Sequence, residues 1–191
     1  MKKLSLTFKM LRFLGFNYSE EEYGDVSLIN VLLKVLENLY HSLLQSMMNW
    51  VIIEPINPRM LRPFLLRRMG AKVGKGVFIG DHCSFDLNHS DNIIIEDHAH
   101  IASGTRILCH QRDLSSYCVG DDYSKLGYKI GKVHLKKGSL IGMESFVLPG
   151  VTIGEGSIVG AGSLVSHDIP DWTIATGRPA KVIKNIPKRQ Q

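Results

Sequence analysis

The sequence predicts a mainly β fold, a three-sided parallel coil with a helical segment in front of it. Three observations carry this prediction. From Val73 onward, an aliphatic or aromatic residue falls at every sixth position, and the position after it is often Gly. The fifth position of each six-residue unit is usually small or β-branched. A polar stripe with a helical period runs through the segment that precedes the repeat.

The composition indicates one globular domain with appended elements. The 191 residues are 44% hydrophobic, enough to bury a core. The formal net charge of +5 is scattered along the chain, which disfavours a nucleic-acid groove and suits anionic small molecules or an acidic membrane surface. The three cysteines have neither CxxC nor zinc-ligand spacing, and their odd number argues against a disulfide framework, so we expect a reducing cytoplasm.

Residues 1–57 are predicted to be helical. The first sixteen residues are basic and amphipathic, but Lys9 and Arg12 interrupt the apolar run and no cleavage site follows, so they make a poor signal peptide. Residues 28–53 predict an amphipathic helix rather than a membrane span, because polar residues recur every three to four positions: Asn30, Lys34, Glu37, Asn38, His41, Gln45 and Asn49. This helix either packs on the fold or on a neighbouring subunit, or attaches peripherally to the inner face of a membrane.

A period of six fits a coil with three short sides, each made by one hexapeptide, so that the chain returns above itself every eighteen residues. Twelve hexapeptides then make about four coils. Aliphatic first positions would fill the interior, and the following Gly would tolerate the corner. The first positions are Val73, Ile79, Phe85, Ile95, Ile101, Ile107, Leu135, Ile141, Val147, Ile153, Val159 and Val165.

The repeat is interrupted twice. The step from Phe85 to Ile95 is ten residues, and the step from Ile107 to Leu135 is twenty-eight, which leaves a long loop at 109–134. Both interruptions follow the third side of a coil, so we expect the two loops to project from the same corner. Long loops on a rigid scaffold are usually functional.

The run IGMESFVLPGVTIGEGSIVGAGSLVSHDIPDWTIATGRPAKVIKNI resembles the C-terminal half of the hexapeptide-repeat acyltransferases, which include the galactoside, maltose and nodulation-factor O-acetyltransferases. The preceding RPFLLRRMGAKVGKGVFIG resembles the branch found in bacterial polysaccharide biosynthesis. The resemblance covers residues 58–187. It implies a left-handed parallel β-helix over 58–170, then a C-terminal strand and basic tail over 171–191. It also implies a cytoplasmic homotrimer that transfers acetyl from acetyl-CoA to a sugar hydroxyl, without a metal.

His110 is the candidate general base. When the third sides of the first two coils are superposed, Asn88 and His110 occupy the same fourth position, one strand spacing apart. A neutral imidazole accepts a proton from a hydroxyl near pH 7, and Asn88 would hold the acceptor or the ring. The resemblance implies the same two roles. The alternative is a loop histidine with only local hydrogen bonds.

The resemblance also implies the donor and acceptor sites. Backbone N–H groups of Gly142 and Met143 would meet the thioester oxygen, and Gly160 and Ala161 would lie beside the pantetheine arm, in a groove shared between subunits. The resemblance implies that Asn88 contacts the acceptor. By residue type and position, Asp86, on the strand with Asn88, and Tyr123, in the long loop, are further candidates for acceptor contact. Three further residues match positions facing the nucleotide end of coenzyme A, although a solvated basic tail would also explain the two lysines: Ser166, Lys181 and Lys184.

Other chemistries are less favoured. His82, His98 and His100 suggest a carbonic-anhydrase-like zinc site, but no two histidines stand five residues apart. Cys109 lacks a second base for a thiol nucleophile. The glycines of GEGSIVGAG fall at repeat positions without a strand-turn-helix pattern, so they do not indicate a dinucleotide site. N-acetyl transfer to an amino sugar or a serine-type acceptor remains open, as does a non-enzymatic scaffold.

Overall fold

A computed structural model describes residues 4–16, 23–50 and 58–189. The chain forms two compact units. The smaller unit comprises Met1–Tyr40 and Gln111–Lys129, and the larger one comprises His41–His110 and Ile130–Gln191.

Most of the larger unit is a coil of very short strands. The strands are β1 Lys72–Val73, β2 Phe78–Ile79, β3 Ser84–Phe85, β4 Ile93–Ile95, β5 His100–Ile101, β6 Arg106–Ile107, β7 His110–Arg112, β8 Tyr128–Ile130, β9 Val133–Leu135, β10 Leu140–Ile141, β11 Phe146–Val147, β12 Thr152–Ile153, β13 Ile158–Val159, β14 Leu164–Val165, β15 Thr173–Gly177 and β16 Ala180–Asn185. Strands β7 and β8 pair with each other as a separate two-stranded sheet, so the predicted loop at 109–134 has local structure of its own.

The coil has three sides, each a sheet of stacked parallel strands. The sheet orders are β1-β4-β9-β12, β2-β5-β10-β13-β15-β16 and β3-β6-β11-β14. In the third sheet, Phe85 is aligned with Ile107, and Val147 with both Ile107 and Val165. This alignment confirms the predicted stacking of four coils. Strand β15 adds one more layer to the second sheet, and β16 pairs with β15 in antiparallel orientation.

The interior is filled as the repeat predicts. First-position side chains from Ile79 to Val165 are almost fully buried and form one continuous core. The fifth-position serines are also fully buried. Three of them donate to a carbonyl three residues earlier, whereas the Ser145 hydroxyl donates to the Gly160 carbonyl of the next coil at 3.2 Å. Ser139 Oγ donates to Lys136 at 2.7 Å, and Ser163 Oγ donates to Gly160 at 2.6 Å. A small polar residue is tolerated at a buried corner because the turn itself satisfies its hydroxyl.

Where glycine occupies the second position, the next coil leaves no room for a Cβ. A Cβ at Gly142 would lie 2.5 Å from the backbone nitrogen of Ala161, and one at Gly154 would lie 2.4 Å from that of Asp171. Both contacts are with backbone, which cannot rotate away. The close approach lets the Gly142 N–H donate to Val159 at 2.8 Å and the Gly154 N–H donate to Ile169 at 2.8 Å.

Three α-helices lie within the described residues: α1 Leu6–Phe13, α2 Leu28–Met47 and α3 Leu61–Arg68. Ser5 caps α1 by accepting the Phe8 N–H at 3.0 Å. Helix α2 is shorter than the predicted 28–53, and positions 51–53 of that prediction lie outside the described residues, as do 1–3, 17–22 and 54–57 of the N-terminal segment and 190–191 of the tail. No helix in the described part of the chain is long and apolar enough to cross a membrane.

In the larger unit, the last turns of α2 pack on the first coil through their polar side and through Leu44, which is buried in the core. His41 Nδ1 lies 2.8 Å from the Leu87 carbonyl, Gln45 accepts the Phe85 N–H at 2.8 Å, and Asn49 accepts the His82 N–H at 2.7 Å. Strands β2 and β3 are the first of their sheets and have a neighbour on one side only, so their other edge needs partners. The polar stripe supplies them, which leaves Leu43 52% exposed.

Replacing Gly154 by Ala should lower the free energy of unfolding by about 1–3 kcal/mol, because the added methyl has no room against the backbone of Asp171. Chemical denaturation followed by circular dichroism measures the change. Gly127→Ala is the matched control, since a Cβ there meets nothing within 4 Å. Equal stability of the two variants would show that the coils can separate at little cost.

Candidate active site

The carboxylate of Asp86 is the centre of the site. Asp86 comes directly after β3, and its side chain is only 1% exposed. Its Oδ2 accepts the Cys109 N–H at 2.9 Å and lies 2.5 Å from Nδ1 of His110. Its Oδ1 accepts the N–H groups of Asn88 and His89, each at 3.1 Å. A buried charge is stable here because hydrogen bonds surround both of its oxygens.

The side chain of Asp86 bonds to both segments that leave the coil where the repeat is interrupted. Strand β3 is aligned with β6 through Phe85 and Ile107, so the chain leaves the third side at neighbouring points in both coils. The carboxylate bonds to the backbone of the first departing segment at Asn88 and His89, and to that of the second at Cys109. One side chain therefore fixes both exits from the coil.

The same contact fixes the chemical form of His110. A carboxylate only accepts hydrogen bonds, so Nδ1 of the neutral ring must carry the proton and Nε2 then holds the lone pair. The imidazole is 30% exposed, which leaves it reachable for a ligand. Burial raises the pKa of Asp86, but the hydrogen bonds from Cys109, His110 and His89 outweigh burial, so the pKa lies below its ordinary value. Asp86 is therefore a carboxylate at neutral pH.

His89 places a second imidazole beside the first. Its ring centroid lies 5.2 Å from that of His110, with the two planes tilted by 60°. His89 begins the short insertion and precedes a 3₁₀ turn at Ser90–Asn92. The six-residue period does not predict this approach, because nothing in the repeat aligns His89 with His110.

The predicted pairing of Asn88 with His110 differs from the observed contact. Asn88 is exposed and reaches the cluster through its backbone N–H, whereas Asp86 holds the ring. The reason is geometric: β3 ends at Phe85, so stacking cannot be extrapolated three residues into the insertion. Asp86 was expected to contact an acceptor hydroxyl; here its side chain is 1% exposed and bonded to protein donors, and acceptor contact stays a prediction.

The thiol of Cys109 is unsuited to nucleophilic attack. Its side chain is fully buried in the core. Burial, with the nearby Asp86 carboxylate, raises the pKa of Cys109 to about 12. The thiol therefore stays protonated at neutral pH.

The predicted donor-binding residues lie together at another corner of the coil. Gly142 and Met143 form the turn between β10 and β11, and Gly160 and Ala161 form the turn stacked on it, between β13 and β14. The Gly162 N–H donates to Met143 at 2.7 Å and links the two turns. His110 follows the third side, whereas these turns precede it. Within a single chain, His110 and the predicted donor-binding turns therefore lie at opposite ends of the third side of the coil.

The remaining predicted site residues are spread over the surface. Ser166 follows β14, and its Oγ lies 3.0 Å from His167 Nδ1. Lys181 and Lys184 are exposed on β16, so the predicted single strand and tail is a hairpin of β15 and β16. Tyr123, in the smaller unit, is 63% exposed and begins a 3₁₀ turn that Asp122 caps by accepting the Ser124 N–H at 3.0 Å.

The histidines considered for zinc have other surroundings. His82 Nδ1 lies 2.9 Å from Asp81, and His100 stacks on Phe78 with ring centroids 4.1 Å apart. Among the described residues, no group of three or more His, Cys, Asp or Glu side chains is arranged to hold a metal ion.

Comparison with known proteins identifies the repeat. Residues 132–167 match the family model described as bacterial transferase hexapeptide (six repeats). The maltose O-acetyltransferase of Clostridium difficile 630 has the same fold, with a TM-score of 0.58 at 23% identity over 90% of this chain and 92% of that one. These matches confirm the predicted fold class, a left-handed parallel β-helix, and the predicted resemblance to hexapeptide-repeat acyltransferases.

Two relatives carry closer sequence similarity. A galactoside O-acetyltransferase of Lactococcus lactis is 31% identical over 140 residues, which is 64% of this chain and 66% of the relative. A mutant of the N-acyltransferase AntD from Bacillus cereus, solved with dTDP and coenzyme A, is 31% identical with a TM-score of 0.52, over 61% of this chain and 63% of that one. Staphylococcus aureus proteins named as acetyltransferases match over 55% of their length, so the chain spans little more than half of them.

Replacing Asp86 by Asn should lower the free energy of unfolding at pH 7 by about 1–3 kcal/mol, because the amide NH₂ would face groups that themselves donate. The lowered pKa of Asp86 means that its stabilisation is full above the ordinary aspartate value of about 4 and is lost as pH falls through the lowered one.

Urea denaturation over a pH series measures both effects. The gap between wild type and variant should narrow as pH falls below about 4, because the carboxylate of the unfolded chain takes up a proton before the native one does. Asp122→Asn, which alters an exposed carboxylate with local hydrogen bonds, is the control and should change stability little. A gap that does not depend on pH would contradict a stabilising charge at position 86.

Proposed function

We propose that the protein is an acetyl-CoA-dependent O-acetyltransferase with His110 as its general base. The observation that supports this most is the pairing of a reachable imidazole with a buried carboxylate at 2.5 Å, which presents Nε2 as the proton acceptor. The similarity to acetyltransferases, including a galactoside O-acetyltransferase, supports the reaction class.

In the proposed reaction, His110 Nε2 takes the proton of an acceptor hydroxyl as its oxygen attacks the thioester carbonyl. The tetrahedral intermediate then expels the thiolate of coenzyme A, which receives that proton from the imidazolium. Asp86 keeps the ring oriented and stabilises its positive charge between the two steps. Direct transfer needs no covalent enzyme intermediate, in accord with the buried, protonated Cys109.

The donor would lie against the turns at Gly142 to Met143 and at Gly160 to Ala161. The Gly142 N–H already donates to Val159, so we assign the oxyanion contact to the backbone N–H of Met143. Small residues at three of these four positions leave room for an extended ligand close to the backbone. The phosphates of coenzyme A would lie near Ser166, Lys181 and Lys184, because the exposed lysines attract an anionic ligand.

A complete site requires more than one copy of the chain. Because His110 and the Met143 turn stand at opposite ends of one side, we propose that they meet across the interfaces of a homotrimer, with the base from one subunit and the donor turn from its neighbour. The coil from 58 to 170 would form this trimer as its own domain, flanked by the helical segment 1–57 and by 171–191.

On the acceptor side, we propose a sugar of a bacterial surface or exported polysaccharide, or its carrier-linked precursor, modified in the cytoplasm. Asn88 and His89 border the base and would contact the acceptor. Tyr123 would contribute from its exposed turn, since a tyrosine can stack on a sugar and donate a hydrogen bond.

N-acyl transfer is the second candidate. The similarity to AntD, an N-acyltransferase, favours it, and a base oriented like His110 serves an amine acceptor as well. Mass spectrometry of the product with mild alkaline hydrolysis separates the two, because esters are cleaved and amides persist. A chain that binds no coenzyme A at millimolar concentration would instead be a scaffold.

Replacing His110 by Ala should reduce kcat by about 10²- to 10⁴-fold, because the attacking hydroxyl loses its proton acceptor. Acetyl-CoA affinity should stay near wild type, since the proposed donor contacts are made by the backbone of the turns and by the exposed lysines, not by the imidazole. Thiol release measures turnover, and calorimetry measures donor binding.

His134→Ala is the matched control for the loss of an imidazole. His134 Nε2 also pairs with a carboxylate, Glu96 Oε1, at 2.7 Å, but it lies on β9, outside the cluster around Asp86. Turnover by the His134→Ala variant should remain near wild type. Full activity of the His110 variant would remove that histidine from the mechanism.

A further inference from the structure

Helix α1 presents an exposed apolar stripe. Leu6 is 85% exposed, Met10 46%, Phe13 91% and Leu14 61%. Their spacing of four, seven and eight residues places them on one face of the helix. A stripe of exposed phenylalanine and leucine side chains is typical of a surface that binds another protein, a ligand or a membrane.

The same helix carries only positive charge. Lys9 and Arg12 lie on α1, and no acidic residue occurs between positions 4 and 16. Lys2 and Lys3 precede it in the sequence. A basic helix with an apolar face is the combination that binds anionic lipid surfaces.

Helix α2 presents a second apolar face. Leu32 is 55% exposed, Leu36 62%, Leu39 62% and Leu43 52%, and their spacing places them on one face. In the larger unit, His41 and Gln45 on the polar side of this helix are bound to the first coil. The coil therefore takes the polar side together with Leu44, which is buried in the core, while the four leucines above stay exposed.

A lipid surface fits these faces better than a second copy of the chain does. Apolar residues cover about half of the circumference of α2, which is wider than the narrow seam of a two-helix coiled coil. A partner copy that packed α1 against α1 would also bring two helices of like charge together. Anionic headgroups instead supply the opposite charge, and the acyl region takes the leucines.

We propose that α1 and α2 form a membrane-docking surface that lies in the plane of an anionic bilayer. Neither helix is long and apolar enough to cross a membrane, so the attachment is peripheral. Docking does not depend on the proposed chemistry and would hold for any reaction at His110.

The test is co-sedimentation of the full chain with vesicles of phosphatidylcholine alone or with about 30% phosphatidylglycerol. Wild type should sediment with the anionic vesicles and much less with the neutral ones. Phe13→Ser with Leu14→Ser, and separately Leu32→Ser with Leu36→Ser, should each weaken binding at least about tenfold through lost apolar burial. Lys9→Gln with Arg12→Gln should weaken binding to anionic vesicles about 25-fold.

Met60→Ser is the control, because Met60 is 68% exposed but belongs to neither α1 nor α2. It stands at the start of α3, where serine is a good helix cap. The altered side chains are exposed, so circular dichroism should show folding unchanged in every variant. Equal binding to both vesicle types, or wild-type binding by the leucine variants, would overturn the proposal. A sedimentation velocity shift to smaller oligomers in those variants, with no change in vesicle binding, would also overturn it and assign the faces to a second copy.

Discussion

The backbone hydrogen bonds between successive coils are the constraint on which the rest of the structure depends. Each coil can donate to the next only if both backbones come within bonding distance, as where Gly142 donates to Val159 at 2.8 Å. At Gly142 and Gly154 this approach leaves no room for a Cβ, whereas Leu148 makes the same bond, to Val165 at 3.0 Å, with its side chain in place. The fifth positions are small or β-branched and buried. It also leaves unpaired edges at both ends of the stack. The polar side of α2 covers part of the first edge, and the β15–β16 hairpin extends the last.

The site uses the rigidity of this stack. Paired strands hold the third sides of the first two coils in alignment, and Asp86 stands where both chains leave them. A buried carboxylate would destabilise an ordinary core, but here four donors surround it, three from backbone and one from His110. The same hydrogen bonds that stabilise the charge determine which nitrogen of the imidazole carries the proton.

Sequence reasoning succeeded where the six-residue period applies. The period fixes the sides, the buried positions and the corner from which both insertions leave, because each follows from stacking like positions. It failed where the period ends. The partner of His110 is Asp86 rather than Asn88, since pairing stops at Phe85. The approach of His89 to His110 and the pairing of β7 with β8 depend on the path of inserted segments, which no repeat encodes.

The sequence shows the polar stripe of α2, but it does not show that this stripe packs against the first coil. A stripe of asparagine, glutamine and histidine normally faces water, and only the unpaired edge of the first coil makes it the packing face. Similarly, one C-terminal strand was expected where the structure has the hairpin of β15 and β16. The six-residue repeat has already ended before Arg178 and Pro179, so no break in the pattern marks the turn between the two strands.

The measurement that tests the central claim most directly is the tautomeric state of His110, read from ¹⁵N chemical shifts in long-range ¹H–¹⁵N NMR spectra of the neutral ring. The account predicts a protonated Nδ1 and an unprotonated Nε2 in wild type, with loss of this preference in Asp86→Asn. A wild-type ring protonated at Nε2 would show that Asp86 does not hold it and that His110 cannot accept a proton as proposed.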